Sequence, residues 1–184
     1  MYNNKKQPSI GQVIRRIRSN EISLKYSLFG GESFLEDYFI FELSKKFLSH
    51  NQQTSYFSMD QDSDEKLFRE LSAISLFEDK RVIVVREIKK LKSKSSREDL
   101  IEYLKSPNPS TVLVIISKEY DLRNKFLGNI AKFSDFLDLR TPFQQKMKEW
   151  IKYIVKYKRI KITDEVIDNY INYYGDSISH VLNE

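Results

Sequence analysis

The sequence predicts an α/β fold, a parallel sheet covered by helices on both faces, followed by a small all-helical segment. Two aliphatic runs carry the first half of that reading, Val82-Ile83-Val84-Val85 and Val112-Leu113-Val114-Ile115-Ile116. Strands apolar on both faces belong in the middle of a parallel sheet. Strand-like and helix-like segments then alternate as far as about residue 140, the pattern of an open α/β sheet. Beyond Thr141-Pro142 only helical periodicity remains.

The elements follow in order. Ser9 to Asn20 reads as a short amphipathic helix with Ile10, Val13, Ile14 and Ile17 on one side. Leu24 to Phe29 alternates apolar and polar residues and meets Gly30-Gly31, a strand followed by a tight turn. Ser33 is the expected N-cap of a long helix reaching about Leu48. Tyr56-Phe57 marks a short strand. Asp62 and Glu65 are the expected capping pair of a helix striped by Leu67, Leu71 and Ile74. Arg81 to Ile88 and Thr111 to Ser117 are the central strands, with helices around Ser96–Lys105 and Leu122–Lys132. Phe136 to Leu139 offers a fifth strand. A helix from Phe143 to Lys156 carries Met147, Trp150, Ile151 and Ile154 at helical spacing. Thr163 caps a second helix (Val166, Ile167, Tyr170, Ile171) that ends at Gly175, and a third opens near Ser177 and is still running at Glu184.

Composition narrows the classes. In 184 residues there are no cysteines, so a disulfide framework and a thiolate zinc site are both excluded. That suits a reducing cytoplasm. The polar start, Met1 to Ser9, is not a signal peptide, and no apolar run approaches the ~20 residues of a membrane span. Net charge is +5, and its distribution is uneven. Residues 1–20 carry five basic side chains and no acidic one, and Lys146 to Lys161 carries seven against Glu149 alone. Asp60, Asp62, Asp64, Glu65 and Glu70 gather elsewhere. Such runs are commonly solvated helix faces, and the alternative is a basic nucleic-acid-binding module.

Catalytic chemistry is missing where the fold would place it. A phosphate loop, G-x-x-x-x-G-K-[ST], needs a lysine for the β/γ-phosphates. Counting from Gly30 that position holds Glu36, and counting from Gly31 it holds Asp37. Glu32 stands at the mouth of the helix, where the positive end of the dipole would welcome a phosphate. The third strand ends Val85-Arg86-Glu87, a cation where nucleotide hydrolases hold magnesium with a carboxylate. Asp60-Gln-Asp62-Ser-Asp64 starts like a calcium loop but has Glu65 and Leu71 where glycine and the bidentate glutamate belong. His50 and His180 are far apart in sequence, with no obvious catalytic partner, and read as ordinary helix-face residues. No catalytic residue, metal or cofactor is implied.

These residues resemble the delta subunit family of bacterial DNA polymerase III, an AAA+-type clamp-loader subunit. The resemblance runs through Tyr26-Ser-Leu-Phe-Gly-Gly-Glu-Ser-Phe-Leu35, Leu71-Ser-Ala-Ile-Ser-Leu-Phe-Glu-Asp-Lys-Arg-Val-Ile-Val-Val85 and Lys89-Lys90-Leu91-Lys92. It continues through Pro107, Pro109, Thr111–Ser117, Asp121-Leu-Arg-Asn-Lys125, Trp150-Ile151, Lys161-Ile162 and Gly175-Asp176. It implies an AAA+-like α/β domain over 1–140 with no ATPase site of its own, an incomplete helical lid over 141–184, and an absent collar domain. It implies a subunit that binds and opens the beta sliding clamp. Its implied partners include the gamma/tau ATPases and delta prime, reached through the collar, and primer–template DNA in the assembled loader, with no membrane. The delta-prime family is the competitor, but it carries a zinc-binding cysteine cluster that this chain lacks.

The family's clamp-contacting tip falls on Ile74, Leu76 and Phe77. From the residues alone, two readings of Leu76 and Phe77 fit. Large apolar residues followed by Glu78, Asp79, Lys80 and Arg81 make a partner-binding anchor, or they cover a helix end and close the core. The resemblance favours the anchor.

Overall fold

The computed structural model describes residues 8–49, 52–73, 80–142, 144–175 and 177–183. Five strands, β1 (Lys25–Phe29), β2 (Thr54–Ser58), β3 (Arg81–Arg86), β4 (Thr111–Ser117) and β5 (Asp135–Asp138), form one sheet in the order β2-β3-β4-β1-β5. Every pairing is parallel. The helices are α1 (Ile10–Arg18), α2 (Ser33–Phe47), α3 (Asp64–Ser72), α4 (Lys94–Lys105), α5 (Lys125–Phe133), α6 (Gln144–Tyr157), α7 (Asp164–Tyr174) and α8 (Ile178–Asn183).

The two aliphatic runs take the centre of the sheet, and their alternate residues feed opposite faces. Val82, Val84, Val112, Val114 and Ile116 pack with α1 and α2, while Ile83, Val85, Leu113 and Ile115 pack with α3, α4 and α5. All seven residues of β4 are buried. Side chains of period two meeting helices on both sides explain why these strands read as continuous apolar runs. Tyr26 meets Phe39 of α2 edge-on at 5.0 Å, fixing helix against sheet.

The C-terminal helices join the first of these cores. Met147, Ile151, Ile154, Ile167, Ile171, Ile178 and Val181 belong to the same buried cluster as α1, α2 and one sheet face. Trp150 packs edge-on against Tyr38 of α2. On the surface, Lys148 and Lys152 of α6 pair with Asp168 and Asp164 of α7 at 2.6 and 2.5 Å.

Two caps differ from the expected ones. Ser33 is the first residue of α2, and the N-cap is Glu32, whose side chain makes no capping bond to that helix. At α3 the cap is Ser63, which accepts from the Lys66 amide, rather than the Asp62–Glu65 pair. Asp62 instead accepts from the Ser58 amide at 2.9 Å and pairs with Lys66, and these contacts hold its carboxyl below the usual range. Ile74 of the expected α3 stripe lies outside the described residues. No described helix is long and apolar enough to cross a membrane.

Candidate functional site

In open α/β sheets, ligands bind outside the carboxyl ends of the strands. Here that edge is formed by the turn after β1, the end of β3 and the end of β4. The Gly30-Gly31 turn leaves β1 with both residues at positive φ, 134° and 81°. A Cβ on Gly30 would lie 2.2 Å from the Arg140 backbone nitrogen, so the close approach of the chain just beyond β5 as well as the φ angle requires glycine there.

Past this turn comes the position of the phosphate-loop lysine, and the structure brings the two misplaced charges together. The Glu36 carboxylate receives a hydrogen bond from Arg86 Nη1 at 2.5 Å, and Arg86 Nη2 reaches Asp37 at 3.2 Å. A nucleotide hydrolase has a lysine on the helix and a carboxylate on the strand. This chain has the carboxylate on α2 and the cation on β3, paired with each other. Burial pushes the Glu36 carboxyl above its ordinary range, and the Arg86 guanidinium pulls it partly back.

Glu32 is 2% exposed. Its Oε2 accepts from the Ile178 amide at 3.2 Å, and its Oε1 accepts from the amide and hydroxyl of Ser179 at 3.4 and 3.3 Å. Its carboxylate is therefore turned onto α8 and does not cap its own helix. At the same sheet edge, Ser58, Asp60, Arg86, Glu87, Ile116 and Lys118 line a cleft of about 280 Å³. Glu87 adopts the left-handed conformation there and faces Lys118 at 3.8 Å.

Among the described residues no group of three or more His, Asp and Glu could hold a metal ion. Asp64, from the calcium-loop-like stretch, is buried and used structurally. It accepts from the Lys92 and Ser93 amides, joining α3 to the start of α4. Burial pushes its carboxyl up, but these bonds and Ser96 outweigh that and hold it below its ordinary range.

The expected anchor residues Ile74, Leu76 and Phe77 lie outside the described residues, but both roots of their connection are defined. Arg81, at the start of β3, reaches back across the end of α3. Its Nη1 donates to the Glu70 carbonyl at 3.2 Å, and its Nη2 donates to the Ala73 carbonyl and to Thr111 Oγ1. Asn108 Nδ2 donates to the same Ala73 carbonyl at 3.4 Å. Sequence reasoning missed this clamp because its members come from three separate elements.

The family profile described as DNA polymerase III, delta subunit, matches residues 26–138. The chain belongs to the DNA polymerase III delta subunit family. The match spans the turn, the inverted charge pair and the α3–β3 connection. Among solved structures, the delta family chain is similar to the Bacillus subtilis DNA clamp loader delta protein, with a TM-score of 0.73 at 16% identity, over 95% of this chain and 55% of that one. It is also similar to Thermotoga maritima RuvB, a Holliday junction branch migration motor (TM-score 0.59, 14% identity, 95% of this chain and 58% of that one). A third likeness is to domain III of the T. maritima replication initiation protein DnaA (TM-score 0.57, 8% identity, 95% and 78%). These likenesses establish an AAA+-type fold. The chain spans about half the length of the B. subtilis protein. No curated protein sequence matches it.

Proposed function

We propose that this chain is the clamp-engaging part of a clamp-loader delta subunit, one that opens the beta sliding clamp by binding and not by hydrolysing ATP. The observation that carries the non-hydrolytic half is the Glu36–Arg86 pair. With a carboxylate in the lysine position, phosphate oxygens would meet like charge, and with an arginine at the end of β3 a magnesium ion would meet another cation. Calorimetric titration with Mg-ATP at millimolar concentration should be flat, and saturable binding at micromolar ATP would overturn this half.

Clamp binding rests on the family and on Ile74, Leu76 and Phe77. The Arg81 contacts support it, because they fix where the chain leaves α3 and where it enters β3, and a binding element attached at fixed points loses less freedom on docking. An anchor of this kind opens a ring only as far as it binds the open form better than the closed one. In this reading residues 1–140 are the clamp-binding AAA+-like domain and residues 141–184 contribute a helical lid. Assembly with the gamma/tau ATPases and delta prime runs through a collar.

The test separates an interface from a core. Truncating a buried interface anchor costs about 2–4 kcal/mol of binding, roughly thirty- to a thousandfold in affinity. Truncating a core residue costs about 2–5 kcal/mol of stability. Leu76→Ala combined with Phe77→Ala should abolish clamp binding and leave the melting temperature nearly unchanged. A stable double variant that binds the clamp at the original affinity would rule out the site.

A further inference from the structure

Two helix N-termini face each other at the end of β1, and each supplies what the other lacks. The first amides of a helix have no partner within it. In α2 the Phe34 amide donates to Ser179 Oγ at 3.2 Å, and Ser33 Oγ lies 2.9 Å from the same hydroxyl. In α8 the amides of Ile178 and Ser179 donate to Glu32, with the Ser179 hydroxyl adding a third bond. A side chain from each helix start thus caps the other across 146 residues of sequence. The Glu32 amide is itself held by the Leu139 carbonyl at 3.2 Å, so the carboxylate projects from a fixed turn.

The place matters because the start of the helix after β1 is where this architecture seats a phosphate, between the sheet and whatever packs above it. A bound nucleotide in that seat would bridge the two parts. Here protein groups make the bridge. We propose that the Glu32–Ser179 clasp is a built-in substitute for a nucleotide, fixing the C-terminal helices against α2 in a position that does not respond to ATP. The clasp rests on this geometry and is independent of the clamp-binding reading, while its indifference to ATP rests on the proposed lack of a nucleotide site, which calorimetry with Mg-ATP tests separately.

Hydrogen exchange on the whole 184-residue chain tests it, with and without millimolar Mg-ATP. The unaltered protein should protect the amides of Ile178 and Ser179 equally in both conditions. Ser179→Ala and Glu32→Ala should each accelerate exchange at both helix starts, residues 33–35 and 178–179, while β4 stays protected. A charge-assisted hydrogen bond corresponds to about a ten- to hundredfold change in opening. Should Glu32→Ala also expose β4, Ser179→Ala, which removes only one hydroxyl, decides the matter alone. Unchanged exchange at both helix starts in Ser179→Ala would overturn the proposal. So would full exchange of residues 178–179 in the unaltered protein, or slower exchange there on adding Mg-ATP.

Discussion

At the Glu36 carboxylate, burial and charge pull in opposite directions. The side chain is 3% exposed while that of Arg86 is 35% exposed, so the pair is closed on one side and wet on the other. Removing one partner of a fully buried pair costs about 3–5 kcal/mol, and the wet side lowers that here. Glu36→Lys, which restores the phosphate-loop residue, should therefore destabilise the protein by about 1–3 kcal/mol in urea unfolding. Adding Arg86→Asp should return part of the loss, because the charges again oppose. A pair of variants whose losses simply add would show that the two residues do not act on each other.

Glu42 gives the opposite sign. Hydrogen bonds from Arg18 Nε and Nη2, both 2.8 Å, hold its carboxyl below the ordinary range. A carboxylate whose folded pKa is depressed contributes stability above its unfolded value, about 4.3, and loses that contribution as pH falls through the lower folded value. The stability gap between the unaltered protein and Glu42→Gln should be constant above about pH 5 and shrink as pH falls below about 4. Urea midpoints across that range read it directly, and a gap independent of pH would remove the charge from the account.

Among the elements, the basic face of α6 looks different once its partners are in place. Lys148 and Lys152 are tied to Asp164 and Asp168. Lys146 near the start of α6, and Lys156, Lys158, Arg159 and Lys161 at its end and in the turn beyond, have no ion-pair partner among the described residues. At most about five phosphates could then be neutralised by this face, so the logarithm of a duplex affinity that rests on it should fall with the logarithm of salt with a slope no steeper than about −5. Fluorescence anisotropy over a salt series measures it. Nanomolar, salt-tolerant binding would favour a nucleic-acid module.

Helices and strands were legible because their patterns are local. Ile10, Val13, Ile14 and Ile17 fall on the buried side of α1 as their spacing requires, and Thr163 caps α7. The errors arose where a polar side chain had a competing offer. Asp62 was free to cap α3, but the Ser58 amide and Lys66 claimed it. Glu32 turned from α2 to α8, a contact that no window of sequence can display. The inversion at Glu36 and Arg86 was visible as two separate oddities, but their pairing depended on the parallel register that sets β3 beside β4 and β4 beside β1.

For the whole molecule, the shared core raises the question of how many units unfold. Ile151, Ile154, Ile167 and Ile171 of the C-terminal helices lie in one buried cluster with Tyr26, Phe39, Val84 and Val114. Leu100 and Leu104 of α4 lie in the cluster on the other face of the sheet. If burial decides cooperativity, loosening either cluster lowers the stability of the same unit, because the sheet belongs to both. Ile171→Ala and Leu100→Ala should each cost about 2–5 kcal/mol, shifting a single melting transition by about 2–4 °C per kcal/mol for a chain of this size. Calorimetric and van't Hoff enthalpies should agree in both variants. The competing outcome is specific. If the isoleucines hold the C-terminal helices to one another and little to the sheet face, Ile171→Ala should split off a small early transition and leave the main one in place. Leu100→Ala would still move the main transition. A split of that kind would mean that the apolar contact between the helices and the sheet face contributes little to folding.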